Sequence, residues 1–176
     1  AMKAFRIGLG PFALMNLTGP PMALHSTDYL AEQLETPRYV GAENLREMVE
    51  AGNQWELGDD TDCSEDAAQK IRTRLLGQVF AVAGQIVDEE ICSLEDVDRG
   101  AKVGLRWARG PFELANRLGI DDAKAMAEDY CELANFPVPE VWKRSEAFTF
   151  SYVDLSVNKG IATITINRPE AMNALN

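Results

Sequence analysis

Apolar residues recur every three or four positions along most of the chain, and this spacing predicts helices. The longest such segment, residues 65–91, carries a regular apolar stripe: Ala68, Ile71, Leu75, Val79, Val82 and Ile86. Shorter segments with the same period lie at 20–34, 44–49, 94–104, 112–118 and 121–133. The pattern therefore predicts a mainly helical protein.

The period changes to two after Phe148. Residues 152–157 and 161–166 alternate apolar and polar side chains, and the turn-forming residues Asn158, Lys159 and Gly160 stand between them. We predict an all-α fold that ends in a short β-hairpin. Because a two-stranded hairpin alone is marginal in water, we expect it to dock weakly or to be disordered, and to promote self-association.

An internal repeat organises the helical part. The segment 10–37 returns without a gap as 110–137, and nine of the 28 aligned positions are identical. The identical residues are Gly10/Gly110, Pro11/Pro111, Phe12/Phe112, Leu14/Leu114, Asn16/Asn116, Gly19/Gly119, Ala23/Ala123, Glu32/Glu132 and Pro37/Pro137. A repeat of this length indicates one supersecondary unit used twice, each copy offering an apolar face to be buried.

Local signals mark the helix ends. Glycine followed by proline suits the first turn of a helix, where the missing amide donor of proline costs nothing. Gly119 should end the helix that starts at Pro111, and Asp121 should cap the next one. Ser93 and Asp96 form a capping box that should open a helix running to Gly104.

A sequence motif resembles the C-terminal helical domain of the 3-hydroxyacyl-CoA dehydrogenase family. It is Gly110-Pro111-Phe112-Glu113-Leu114, and it follows the segment Ser93–Asp98. The resemblance covers roughly residues 3–145, and in large members of that family the domain is duplicated. It implies a duplicated helical fold. The family's long helix opens with Asn-Arg-Leu, whose asparagine belongs to the active site. This chain has Thr73-Arg74-Leu75 there, which fits a second, non-catalytic copy.

The end of the chain resembles another family. The run Asn167-Arg168-Pro169, with Asn173-Ala174-Leu175 after it, is similar to the start of crotonase-fold enoyl-CoA hydratases, where it follows the first hairpin. In an intact domain, that resemblance would place the backbone of Glu170, Ala171 and Met172 beside the CoA nucleotide.

Together these features predict five segments. They are a first helical repeat at 1–57, an acidic linker at 58–64, a second repeat at 65–145, a linker at 146–151 and the start of a crotonase-like domain at 152–176. We expect the chain to be the centre of a bifunctional dehydrogenase–hydratase, truncated at both ends. The resemblance implies that an N-terminal domain of the same chain binds NAD and carries the catalytic histidine and glutamate. We therefore expect no catalytic, cofactor-binding or metal-binding residues here.

Two roles are open for this part of such an enzyme. In one, Gly10, Pro11 and Phe12 face the NAD domain and help to wall the pocket for the acyl-CoA substrate. In the other, the domain is a scaffold whose copies pack on each other, and both phenylalanines belong to the core, Phe112 above all. A protein of another class is the alternative: a stand-alone helical protein-interaction module with no catalytic role.

Other chemistry is disfavoured. Gly8-Leu9-Gly10 with Ala13 fits a dinucleotide-binding fingerprint, but no second strand ending in an acidic residue follows. The acids around Asp59 lack the ligand spacing and glycine of a calcium loop.

Composition narrows the class further. The net charge of −11 disfavours nucleic acids and anionic membrane surfaces, and no apolar run approaches the ~20 residues of a membrane span. The three cysteines lack metal-ligand spacing and indicate reduced thiols in the cytoplasm. The only histidine, His25, leaves little material for histidine-based catalysis.

Overall fold

The computed structural model describes residues 9–58, 64–143 and 146–174. Their helices are α1 (Pro11–Thr18), α2 (Pro20–Gln33), α3 (Glu43–Glu50), α4 (Glu65–Asp88), α5 (Leu94–Gly104), α6 (Pro111–Leu118) and α7 (Ile120–Leu133). Two strands follow, β1 (Val153–Asn158) and β2 (Ile161–Ile166). The predicted fold class, a helical protein with a short C-terminal hairpin, is confirmed. Gly8 and most of the predicted acidic linker lie outside the described residues.

The chain divides into two compact units, Met2–Glu65 and Asp66–Asn176. The first contains α1 to α3. Nearly all of α4, with α5 to α7 and the hairpin, belongs to the second.

The repeat is visible in the helix boundaries. Helices α1 and α2 begin and end one hundred residues before α6 and α7, position for position. In both copies a glycine with positive φ separates the two helices, with φ of 91° at Gly19 and 108° at Gly119. Only glycine adopts such a conformation without strain, so a glycine at this position allows the short break between the two helices. The predicted cap at Asp121 is wrong, because α7 already begins at Ile120 and Asp121 lies in its first turn.

The core of the second unit is aromatic. The Trp142 ring centroid lies 5.4 Å from that of Phe80 and 5.3 Å from that of Phe148, and its indole Nε1–H donates to the Phe80 carbonyl at 2.8 Å. Phe112 packs edge-on against Phe148 at 4.7 Å. Phe112 is fully buried, as expected for the second copy.

Helix α4 lies directly on α7. A Cβ atom at Gly77 would come within 2.2 Å of the Met126 carbonyl oxygen, so the two backbones can approach only because this position is glycine. One turn further on, Ala81 packs with Tyr130 and Cys131 in a buried cluster. Helix α4 therefore buries one side of α7 in the second repeat.

A carboxylate ties the first unit together. Asp28 on α2 accepts hydrogen bonds from the Gly41 amide at 2.9 Å and from Arg46 Nη2 on α3 at 2.6 Å. The bond from Arg46, then that from Gly41, lowers the pKa of Asp28. The pair lies near the surface, so it serves mainly to orient α3 and the loop before it.

The hairpin pairs Val153 with Ile166 and Asn158 with Ile161 in an antiparallel register. Asn158 is thus the last residue of β1, and the turn has two residues instead of the predicted three. Both turn residues have positive φ, 49° at Lys159 and 80° at Gly160, as a type I′ turn requires. At its base, the side chain of Arg99 on α5 donates to the carbonyl of Asn167 at 3.5 Å.

Candidate functional site

The Gly-Pro-Phe motif of the second unit is held by a buried carboxylate that sequence analysis did not single out. Asp98 on α5 is 2% exposed and accepts hydrogen bonds from the amides of Phe112 and Glu113, both at 2.8 Å. These amides belong to the first turn of α6, where no partner within the helix exists. Asp98 therefore anchors α6 to α5 and fixes the position of the motif.

The surroundings of Asp98 shift its pKa in opposing directions. Burial raises the pKa of Asp98, and the two amide donors and then the charge of Lys102 act in the opposite direction. A Cβ atom at Gly110 would lie 2.1 Å from the Asp98 carboxyl carbon. The φ of −75° at Gly110 is accessible to any residue, so backbone conformation does not require glycine here. The close approach to the Asp98 carboxylate does.

Asparagine joins each motif to a distant aromatic residue. Asn116 donates from Nδ2 to the Phe148 carbonyl and accepts from the Phe148 amide, both at 2.7 Å. Asn16 makes the same pair with Trp55, at 2.8 and 2.9 Å. In the first unit the Trp55 ring then lies 4.6 Å from Phe12, just as Phe148 packs on Phe112. Sequence analysis gave the asparagines no role, although their identity in both copies was a signal.

Gly10, Pro11 and Phe12, the residues predicted to wall an acyl pocket, lie together at the start of α1. Gly10 precedes the helix with φ of −71°, and Pro11 is its first residue. The Phe12 side chain is 47% exposed, with one face against Trp55. The loop thus presents an apolar ring to its surroundings. It carries no ionisable group.

Thr73, which the resemblance compared with an active-site asparagine of the family, borders an open groove of about 730 Å³ in the second unit. Thr73 and Arg74 line it from α4, and Tyr130 and Leu133 line it from α7. Lys70 and Asp66 also line the groove, and Lys70 Nζ lies 2.8 Å from a carboxylate oxygen of Asp66. The groove can receive an apolar group beside charged side chains.

Glu170, Ala171 and Met172 follow the hairpin. The first two lie in a short 3-10 turn, Pro169–Ala171, and Met172 follows in the left-handed region with φ of 53°. The Arg168 amide donates to Asn173 Oδ1 at 2.8 Å and closes this turn. These residues lie in the second unit, and Gly10, Pro11 and Phe12 lie in the first.

Other candidate chemistry is sparse in the described ranges. His25 lies on α2 with its ring 6.2 Å from Tyr29. No three His, Cys, Asp or Glu side chains among the described residues gather as metal ligands. None of the helices that the structure describes has the length and apolar character of a membrane span.

Residues 71–148 match the family model described as 3-hydroxyacyl-CoA dehydrogenase, C-terminal domain. The matched region runs from within α4 to Phe148, the residue that Asn116 binds. It contains the aromatic core and the Asp98 anchor. These residues are therefore similar to the C-terminal domain of 3-hydroxyacyl-CoA dehydrogenases.

Two curated proteins are similar to the chain. A probable 3-hydroxyacyl-CoA dehydrogenase of Caenorhabditis elegans is 29% identical over 89 residues, which are 51% of this chain and 29% of that protein. The mitochondrial hydroxyacyl-coenzyme A dehydrogenase of Sus scrofa is 28% identical over 104 residues, 59% of this chain and 32% of that protein. The chain thus spans about a third or less of the length of these relatives. No solved structure gives a significant match.

Proposed function

We propose that this chain is the helical scaffold domain of an NAD-dependent 3-hydroxyacyl-CoA dehydrogenase, which oxidises 3-hydroxyacyl-CoA to 3-oxoacyl-CoA in fatty acid metabolism. The observation that carries the proposal is the family match over residues 71–148. The two relatives, one named a probable 3-hydroxyacyl-CoA dehydrogenase and the other a hydroxyacyl-coenzyme A dehydrogenase, support it.

In this proposal the catalytic groups and the NAD site lie in another domain of the same polypeptide. Three features of the described residues support a scaffold role for this domain. Thr73 stands where the family's active-site asparagine is expected, and a threonine hydroxyl cannot reproduce the paired donor and acceptor of an amide. The repeated Asn clamp and the buried Asp98 are both devices that fix backbone positions. In this proposal the domain therefore has a structural role in the enzyme, and it is inactive on its own.

A further part of the proposal is fusion to an enoyl-CoA hydratase. One face of the hairpin consists of apolar side chains only, at Val153, Leu155, Val157, Ala162, Ile164 and Ile166. Most of this face is exposed in the described structure, and a domain that follows the hairpin would bury it. In that domain the turn of Glu170, Ala171 and Met172 would approach the CoA nucleotide.

The Gly10-Pro11-Phe12 loop would then wall the acyl pocket. Its half-exposed aromatic ring is the supporting observation, since Phe112 at the same place in the second copy is buried. In the intact enzyme, Phe12→Ala should change the preference for acyl-chain length and leave the melting temperature nearly unchanged. A loss of stability without a change in preference would assign Phe12 to the scaffold alone.

The test compares the intact polypeptide with the 176-residue chain. The intact protein should reduce NAD with 3-hydroxybutyryl-CoA and hydrate crotonyl-CoA, and the 176-residue chain should do neither and show no micromolar NAD binding by calorimetry. Dehydrogenase activity without hydratase activity would refute the fusion only. An intact protein without dehydrogenase activity would refute the proposal as a whole.

A second function is favoured by one observation. Helices α1 and α2 expose Leu14, Leu17, Met22 and Leu30, and such a face is typical of interaction modules. In this alternative the chain is a helical protein-interaction module. It predicts that an intact polypeptide lacks activity toward both CoA esters and copurifies with a stoichiometric partner.

A further inference from the structure

The hairpin is exposed along its strands and partly buried at its base. Leu155 in β1 and Ile164 in β2 face each other and are 68% and 69% exposed. Near the base, Phe150 and Tyr152 are partly buried, and they line a small cavity together with side chains of α5. A two-stranded hairpin alone is marginally stable in water. Because burial stabilises the strands little, the contacts at the base must contribute much of what keeps the hairpin folded.

Both ends of the hairpin reach one face of α5. Just before β1, the Ser151 amide donates to Glu95 Oε1 at 3.4 Å. Just after β2, Asn167 accepts from Arg99 Nη2 through its carbonyl oxygen at 3.5 Å and through Oδ1 at 3.4 Å. Glu95 and Arg99 are four residues apart on the helix, so they lie on the same face. Helix α5 therefore contacts the chain where it enters the hairpin and where it leaves.

Arg99 is oriented by other groups of α5. Its Nη1 donates to Asp96 Oδ1 at 2.5 Å, and Asp96 Oδ2 accepts from the Ser93 hydroxyl at 3.1 Å. The Arg99 side chain is 24% exposed. A side chain that is already held in its binding orientation loses less conformational entropy when it makes a further contact. Arg99 is thus prepared to bind Asn167.

We propose that Glu95 and Arg99, here called the α5 tether, keep the hairpin folded by holding its two ends together. At the base, the Asn167 amide donates to the Tyr152 carbonyl at 2.8 Å. Bringing the two ends of a chain segment together costs conformational entropy, and a helix that binds both ends lowers this cost. The hairpin is ordered while both contacts of the tether persist, and it opens when either is lost. This inference does not rest on the proposed function.

Further contacts at the base give the hairpin one direction on α5. The guanidinium of Arg168 lies over the Tyr152 ring, 5.3 Å from its centroid, in a cation–π arrangement. The turn Pro169–Ala171 that follows also contacts α5. The α5 tether therefore fixes the orientation in which the exposed apolar face of the hairpin leaves the second unit.

Amide hydrogen exchange of the 176-residue chain tests the tether. Arg99→Ala and Glu95→Ala should each raise the exchange rates of β1 and β2 about fivefold, because each variant loses hydrogen bonding at one end of the hairpin. The rates in α7 should not change. Unchanged rates in the hairpin would overturn the proposal. An equal rise in α7 would overturn it too, because it would show a general loss of stability.

Conservative variants and a matched ion pair separate the tether from effects on the helix. Arg99→Lys and Glu95→Gln retain a donor and an acceptor, and each should restore part of the protection. Lys124 and Glu128 are the control, since they form a pair on α7 at the same spacing, with 3.9 Å between Nζ and Oε1. Their alanine variants should leave the hairpin rates unchanged, and a rise as large as that of the tether variants would refute the assignment.

Protein concentration separates the tether from self-association. The hairpin rates should be the same at low and high concentration. Rates that fall as the concentration rises, to the same extent with and without Arg99→Ala, would assign the protection to a second copy and overturn the proposal. None of these readouts depends on enzyme activity, so a failure here is distinct from a failure of the proposed function.

Discussion

The two Gly-Pro-Phe units have the same local structure but different degrees of burial. Both begin at proline, both break at a glycine with positive φ, and in both an asparagine binds the backbone of a distant aromatic residue. Yet Phe12 is 47% exposed and Phe112 is fully buried. The sequence within each unit therefore sets the local geometry, and the segments packed against the unit decide how much its phenylalanine contributes to stability.

The two asparagine clamps show how far the similarity extends. Asn16 reaches a residue 39 positions away and Asn116 reaches one 32 positions away. The partner is Trp55 in one case and Phe148 in the other, so the clamp tolerates different loops and different rings. What it preserves is an aromatic ring packed against the phenylalanine of the motif.

The largest expected effect separates the two phenylalanines. Phe112→Ala should destabilise the second unit by about 3–5 kcal/mol, because it removes a fully buried ring from an aromatic core. Phe12→Ala should cost the first unit much less, since that ring is only half covered. Urea unfolding of each variant, followed by circular dichroism, measures both. Equal losses would mean that Phe12 is buried in solution.

The glycines of the motif give the next test. Gly110→Ala places a methyl group against the Asp98 carboxylate, and overpacking of this kind costs about 1–3 kcal/mol. Gly10→Ala meets nothing within 4 Å and should be nearly neutral. The melting temperatures of the two variants provide the measurement. A neutral Gly110→Ala would show that Asp98 does not hold α6 as described.

The asparagines should behave alike, in contrast to the phenylalanines and glycines. Asn16→Ala and Asn116→Ala each remove two hydrogen bonds to backbone groups, and each should cost its own unit about 1–3 kcal/mol. Hydrogen exchange at Trp55 and Phe148 reports the freed amides directly. If only Asn116→Ala destabilises, the clamp of the first unit is not formed in solution.

The smallest effect is a difference in pH dependence. Burial raises the pKa of Asp98 above 3.8, so its protonated form is favoured in the folded state. Its contribution is full below the unfolded pKa and is lost as the pH rises through the folded pKa. The pKa of Asp28 is lowered by Arg46, so its contribution is present above 3.8 and is lost as the pH falls through the folded pKa.

Asp98→Asn and Asp28→Asn should therefore alter the pH profiles of the two units in opposite directions. Thermal unfolding between about pH 3 and pH 7 measures both profiles. Shifts in the same direction would contradict the opposite environments of the two carboxylates.

Much of the fold could be predicted from the sequence. The apolar period and the Ser93 cap placed α5 with its end at Gly104, and the repeat predicted one helical unit used twice. The candidate site was less accessible. Asp98 gives no local signal of its role, because its partners Phe112 and Glu113 are 14 and 15 residues away and meet it only when α5 packs on α6.

The sequence by itself determined the period, the helix ends and the duplication, because these depend on residues within a few positions of one another or on direct identity. Only the tertiary structure decided which copy of the motif is buried, which carboxylate anchors it and which face remains open. These properties depend on contacts between segments far apart in the chain. Two segments as alike as α2 and α7 can therefore differ in burial, since α4 packs closely on α7 and α2 has other neighbours, α1 and α3, in its own unit.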